Sequence, residues 1–210
     1  MGEPKRVARP RSFDEDKALD AAIACFWSRG LEATSVRDLA EHMGIQGPSL
    51  YNAFGDKRTL FARALERYAT RTMRERIARL EGQHDPKTAI RTFVQDAIER
   101  SVADRHRCGC LLVNSALEVA PHDTELRARI AAYLEEIATF FRRNIAAAQA
   151  AGTVPPTVNG EDTARLLFGV VLGIRVLART NPDRSLLEGM ARPALALLDR
   201  ARHRAQGNLG

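Results

Sequence analysis

The chain has 210 residues, 45% of them hydrophobic and 28% charged, with a formal net charge of +6 at pH 7, enough apolar material for one domain or two small ones. No run approaches the ~18 uninterrupted apolar residues of a membrane span, and no apolar segment behind Met1 suits a signal peptide. With only three cysteines there is no disulfide framework to expect, so the composition fits a soluble protein of a reducing cytoplasm.

Residues 1–12 read as an unstructured basic arm, because Lys5, Arg6, Arg9 and Arg11 face Glu3 alone and Pro4 and Pro10 interrupt them. Such an arm is either a solvated tail or a strap along phosphates or in a minor groove. A first helix is predicted over residues 14–28, with Leu19, Ala22, Ile23, Phe26 and Trp27 inward and Gly30 ending it. Next, Val36, Leu39, Ala40 and Met43 fall on one face of a short second helix. Thr34 or Ser35 caps its start, and Gly44 supplies the φ > 0 residue that ends it. Gly47-Pro48 opens a third helix that carries Leu50, Tyr51 and Phe54. Two short helices around a tight glycine turn are the layout of a helix-turn-helix, whose second helix enters the DNA major groove.

A fourth helix starts near Asp56, with Leu60, Phe61, Ala64, Leu65 and Tyr68 inward and Arg67, Arg71, Arg74, Arg76 and Arg79 outward until Gly82. Asp85-Pro86 opens a helix that runs to about residue 104, and residues 105–109 form a polar turn. A short apolar helix over 111–119 and a long one from about 122 to 152 follow. After a loop at 153–156, two final helices cover about 160–179 and 185–204, with a kink or restart expected at Pro193. No segment alternates with period 2. The fold class is therefore all-α, with about nine helices: a DNA-binding head over residues 13–58 and a larger ligand-binding and dimerisation body over 59–210.

Over residues 13–65 the chain closely resembles the tetracycline-repressor (TetR) family of bacterial transcription regulators. The matching pieces are AAIACFWSRG at 21–30, TSVRDLA at 34–40, SLYNAF at 49–54 and DKRTL at 56–60. Beyond them the resemblance is one of length and helical character. It implies a homodimer on a palindromic operator, with the last two helices of each partner forming a four-helix interface. The residues support that task. Leu166, Leu167, Val170, Val171, Ile174 and Leu177, with Leu186, Leu187, Met190, Ala194, Leu197 and Leu198, give more apolar surface than one chain hides by itself.

DNA reading falls on Gln46, Gly47, Pro48, Ser49 and Asn52, the polar or small residues around the third helix. Gln and Asn pair bidentately with adenine, and Ser bonds several base edges. Thr34, Ser35, Arg37, Tyr51 and Lys57 are placed for phosphates, a role the resemblance also implies for the threonine, tyrosine and lysine. Thr34 could equally be a plain cap, and Tyr51 a half-buried core aromatic. Family members often have Ser or Asp where Gln46 stands, so the third helix has a weaker cap here.

In the body, the inward faces suggest a ligand pocket lined by Phe93, Ala97, Cys110, Asn114, Leu117, Tyr133, Ile137, Phe140, Phe168 and Leu172. Arg175, a lone charge on an apolar helix, needs an anionic partner, either Glu118, a ligand or an interface carboxylate. Cys110 stands at a helix start behind Arg105 and Arg107, surroundings that favour a thiolate; it is either a reactive sensor or an inert core thiol. A metal site of Cys108, Cys110 and His106 is disfavoured, since three ligands in five residues need help from elsewhere. Cys25 belongs to the core.

The expected function is a ligand-responsive transcription regulator, a repressor released from its operator by a small-molecule inducer or by thiol modification. A chromosome-organising DNA-binding protein shares the head but needs no cavity. An enzyme is disfavoured: no phosphate loop, His-x-x-x-His pair or Ser-His-Asp arrangement is recognisable. No cofactor, metal or membrane partner is expected.

Overall fold

The computed structural model of the protein describes residues 13–199; the basic arm and the end of the last predicted helix lie outside them. These residues form two compact units, one up to Ala64 and one from Leu65 onward. All regular structure within them is helical, and no helix is long and apolar enough to cross a membrane.

The first unit holds α1 (Glu15–Arg29), α2 (Val36–Met43), α3 (Gly47–Phe54) and the first turns of α4 (Lys57–Ala69). Each start follows from a local cap. Asp14 accepts from the N–H groups of Asp16 and Lys17. Ser35 and Asp38 cap each other's backbone N–H groups in a reciprocal box, and Gly44 ends α2 in the left-handed region at φ 65°. Leu19, Ala22, Phe26, Leu39, Leu50, Phe54, Leu60 and Phe61 close the core. The Phe26 and Phe61 rings meet edge to face at 5.0 Å. Ile23 and Trp27, expected inside, are only half-buried.

The rod expected over residues 56–82 is interrupted. After α4 comes a π-helical turn (Thr70–Arg74) and then α5 (Glu75–Gln83). Counted as one rod, this segment brings the total among the described residues to the nine expected. Arg76, expected outward, is buried beside Ile77 and Leu80. It lies nine residues after Arg67, about half a turn out of phase at about 3.6 residues per turn, so one face cannot hold both.

In the second unit, α6 (Pro86–Val102) packs on α5, α8 (Thr124–Ala150), α9 (Gly160–Leu177) and α10 (Arg184–Ala196), while α7 (Leu111–Glu118) lies on α8 and α9. Phe93 of α6 meets Phe140 and Phe141 of α8 at ring distances of 4.8 and 5.4 Å. Of the kink or restart expected at Pro193, no restart occurs: Pro193 sits inside α10, and a short 3-10 turn (Leu197–Asp199) follows. Pro193 and Gly189 are both exposed, so water can satisfy the Gly189 carbonyl that proline leaves unpaired.

Candidate nucleic-acid interface and buried cavity

On α3, Leu50 and Phe54 point into the core, which leaves Gln46, Pro48, Tyr51 and Asn52 exposed and Gly47 and Ser49 half-exposed. Tyr51 is 53% exposed, so it is no core aromatic. Gln46 occupies the N-cap position and its side chain makes no capping bond, as its chemistry suggested. The first-turn N–H groups of α3 stay open, and its amide is free to reach outward. Ser35 and Arg37 at the start of α2 are also exposed. The Ser35 hydroxyl and N–H hold the Asp38 carboxyl below the usual carboxylate range, so this cap is charged at neutral pH.

Two of the expected phosphate contacts are otherwise engaged. Thr34 is fully buried, and its hydroxyl donates to the Gly30 carbonyl at 2.5 Å. That side chain shapes the α1–α2 loop, and its hydroxyl hydrogen is used within the head. Lys57 is half-buried and donates from Nζ to the Leu31 carbonyl at 2.9 Å and to that of Glu32 at 3.5 Å. Its ammonium ties the start of α4 to the same loop. Neither engagement is legible in a motif, since both partners lie in an irregular segment.

The second unit contains a cavity lined by Tyr68 of α4, Thr72 and Met73 of the π turn, Arg76 of α5, Phe93, Ala97 and Arg100 of α6, Cys110, Leu112, Ile137, Val171 and Arg175. It encloses about 60 Å³ open to the centre of a water-sized sphere, within about 500 Å³ of empty space that includes its mouth. The Tyr68 hydroxyl donates to Cys110 Sγ at 3.8 Å. Burial raises the phenol above its ordinary range, so Tyr68 stays a donor. Arg76 donates to Asp96 Oδ2 at 3.2 Å and to the Phe93 carbonyl, and its guanidinium stands 4.1 Å from the Phe93 ring centre. Burial, reinforced by repulsion from Arg100 and Arg175, pulls its pKa down to about 10.

Five of the residues expected around a pocket do line it: Phe93, Ala97, Cys110, Ile137 and Arg175. The others do not. Leu117 is 70% exposed, and Phe140 is packed in the core. Asn114 donates to the Cys108 carbonyl at 2.8 Å, and Tyr133 donates to Glu66 at 2.6 Å; burial, reinforced by that bond, pushes its phenol up to about 12. Phe168 and Leu172 are half-buried outside the wall. Among the described residues Arg175 pairs with neither Glu118 nor another carboxylate; it donates to Ser101 Oγ at 2.8 Å and to the Gly109 carbonyl. The Arg107 guanidinium turns to the Thr180 carbonyl at 3.5 Å, and Arg105 is exposed, so the cations sharing a cavity wall with Cys110 are Arg76, Arg100 and Arg175. Cys25 is buried, and burial raises its thiol above the ordinary range.

An exposed helix-turn-helix face and a separate cavity-bearing helical unit match what comparison with other proteins finds. The profile described as "Bacterial regulatory proteins, tetR family" covers residues 18–64, and that of the "Tetracyclin repressor-like, C-terminal domain" covers 86–193. The chain belongs to the TetR family. An uncharacterized helix-turn-helix regulator of Bacillus subtilis, YezE, is 31% identical over 92% of this chain and all of its own length. The Escherichia coli repressor ComR is 29% identical over 92% of each chain. Among solved structures, a cysteine mutant of the TetR-family regulator CifR in complex with 26-base-pair operator DNA superposes with a TM-score of 0.79 at 33% identity, covering 89% of this chain and 98% of that one. This TetR-family chain is thus a transcription regulator with a DNA-binding head, and its family and relatives are regulators, not enzymes.

The TetR-type reading finds the recognition helix from sequence because caps and glycines act locally. It misses Tyr68, Thr72, Met73, Arg76, Arg100, Leu112 and Val171 in the cavity wall. One signal was available: Met73, Arg76, Ile77 and Leu80 share a face by spacing, and Arg76 interrupts it with a charge.

Proposed function

We propose that this protein is a cytoplasmic, homodimeric repressor that leaves a palindromic operator when a small molecule occupies the cavity. The observation that carries the reading is the make-up of the cavity wall. Tyr68 belongs to α4, the helix that begins in the head at Lys57, and Thr72, Met73 and Arg76 follow it in the same rod. A ligand that prefers one conformation of this rod biases the helix carrying the head. A ~100-fold preference is worth about 2.7 kcal/mol. The empty space in the body favours this reading over a DNA-organising protein with a filled body.

The exposed stripe on α9 and α10 supports dimerisation. Leu166, Val176 and Leu186 are exposed, and Val170, Leu177, Met190 and Leu197 are half-exposed, whereas Leu167, Val171, Ile174, Leu187, Ala194 and Leu198 already serve the intrachain core. Two heads at fixed spacing read two half-sites. Gln46, Gly47, Pro48, Ser49 and Asn52 are assigned to bases, and Ser35, Arg37 and Tyr51 to phosphates. Selection of bound fragments from genomic DNA, followed by footprinting, tests the proposal. Two inverted half-sites are expected, and sequence-independent coverage would overturn it.

The place of Cys110 in the wall supports a second trigger, covalent modification of its thiol. Brief treatment with iodoacetamide should label Cys110 ahead of the buried Cys25 and lower operator affinity, whereas Cys110→Ser should bind operator normally and ignore the reagent. Mass spectrometry locates the label; Cys25 labelled first, or labelled Cys110 with unchanged affinity, removes the thiol trigger.

A further inference from the structure

The cavity holds more positive charge than its surroundings neutralise. Both acceptors of Arg175, Ser101 Oγ at 2.8 Å and the Gly109 carbonyl, are uncharged. Arg100 reaches the wall and makes no hydrogen bond or ion pair with the described residues. Arg76, only 8% exposed, meets Asp96 at 3.2 Å, but Asp96 also faces Arg79 at 3.7 Å. Three guanidinium groups therefore reach one cavity wall with one shared carboxylate behind them. Charges so placed raise each other's energy unless a counter-charge arrives.

Most of the rest of the wall is apolar, with Phe93, Ile137 and Val171, and its two hydroxyls already donate within the chain, Tyr68 to Cys110 Sγ at 3.8 Å and Thr72 to the Tyr68 carbonyl at 2.6 Å. Two larger grooves among the described residues of this unit lack this imbalance. In the one of about 530 Å³, Arg74 is paired with Glu136 and Arg143 with Glu81; in that of about 300 Å³, Arg91 is paired with Asp199.

We propose that the effector is a small organic anion, a carboxylate on a short hydrocarbon body, whose oxygens lie on Arg175 and Arg100 and whose body lies against Phe93, Ile137 and Val171. The planar fork of a guanidinium matches the two oxygens of a carboxylate. The apolar part of the wall gives a hydrocarbon body a surface that a bare inorganic anion leaves unused. The space of about 60 Å³ favours a body smaller than a phenyl ring, since about 150 Å³ accommodates benzene. The assignment rests on the reading of this cavity as the effector site.

The test uses the full chain, with propionate, isobutyrate and isovalerate as probes and their primary amides as uncharged controls. Calorimetric titration should show at least one acid binding about tenfold or more tighter than its amide. That preference should vanish in Arg100→Gln, an exposed position whose loss leaves the fold intact, and in Arg175→Gln. Amides that bind as well as the acids, a preference that survives both substitutions, or no binding by any acid would overturn the proposal. Operator affinity, measured in parallel on a selected fragment, separates this from the repressor reading. If the acids bind with the expected preference and the operator stays bound, the anion site stands and release by ligand fails. If amides release the operator as well as acids do, release stands and the anion assignment fails.

Discussion

Lys57 donates to the carbonyls of Leu31 and Glu32, so its charge serves the fold before it can serve DNA. Lys57→Ala should lower stability by about 1 kcal/mol, a typical net value for a hydrogen bond to a charged donor that is partly solvated. Thermal denaturation checks it; an unchanged melting temperature with a shallower salt dependence of DNA binding would return Lys57 to the phosphates. The other head residues divide by what they touch. Arg37→Ala should weaken binding to all sequences and reduce the salt slope by about one, because a phosphate contact releases about one counterion. Gln46→Ala and Asn52→Ala should relax sequence choice at single base pairs, by about 1–3 kcal/mol for a bidentate contact. Titrations at two salt concentrations, over a set of single-base operator variants, separate the two classes. If both amide variants keep the wild-type ranking of operators, the reading face of α3 is misassigned.

At the level of the elements, two glycines hold turns for different reasons. Gly44 ends α2 at φ +65°, and a Cβ there would meet nothing within 4 Å. Gly109 precedes α7 at φ +69°, and a Cβ there would stand 2.8 Å from Arg179 Cγ and 3.1 Å from the Arg175 carbonyl oxygen. Gly44→Ala should therefore cost only the left-handed conformation, about 1–2 kcal/mol. Gly109→Ala adds a clash to that strain and displaces the carbonyl that Arg175 uses, so it should cost clearly more. Denaturant unfolding of the two variants compares them directly; equal losses would show that the α6–α7 loop yields. The same loop sets the Cys110 N-cap, which makes no side-chain capping bond and leaves its thiol in the cavity wall.

For the molecule as a whole, the open question is how much of α9 and α10 a second copy covers. Leu166 is 45% exposed and Val176 44%, on helices whose opposite faces are fully used within the chain. The double variant Leu166→Glu, Val176→Glu should yield folded monomers that bind operator at least a hundredfold more weakly, since one head contacts a single half-site. Sedimentation with circular dichroism checks both points, and a dimer that persists would move the interface elsewhere.

The all-α class, the helix-turn-helix and nearly every helix boundary were legible in the chain because their causes are local. Asp14, Ser35 and Asp85 cap the residues beside them, Gly44 supplies its own backbone conformation, and apolar spacing marks each buried face. What the tertiary structure decided is which polar groups those faces enclose. Thr34 and Lys57 read from sequence as phosphate contacts until packing assigned their hydrogen-bonding groups to the α1–α2 loop. Arg76 reads as a surface cation until the rod of α4, the π turn and α5 lays it against α6. The cavity draws on five separate stretches of chain, from Tyr68 to Arg175. Its shape depends on the mutual placement of helices far apart in sequence, and no local spacing encodes that.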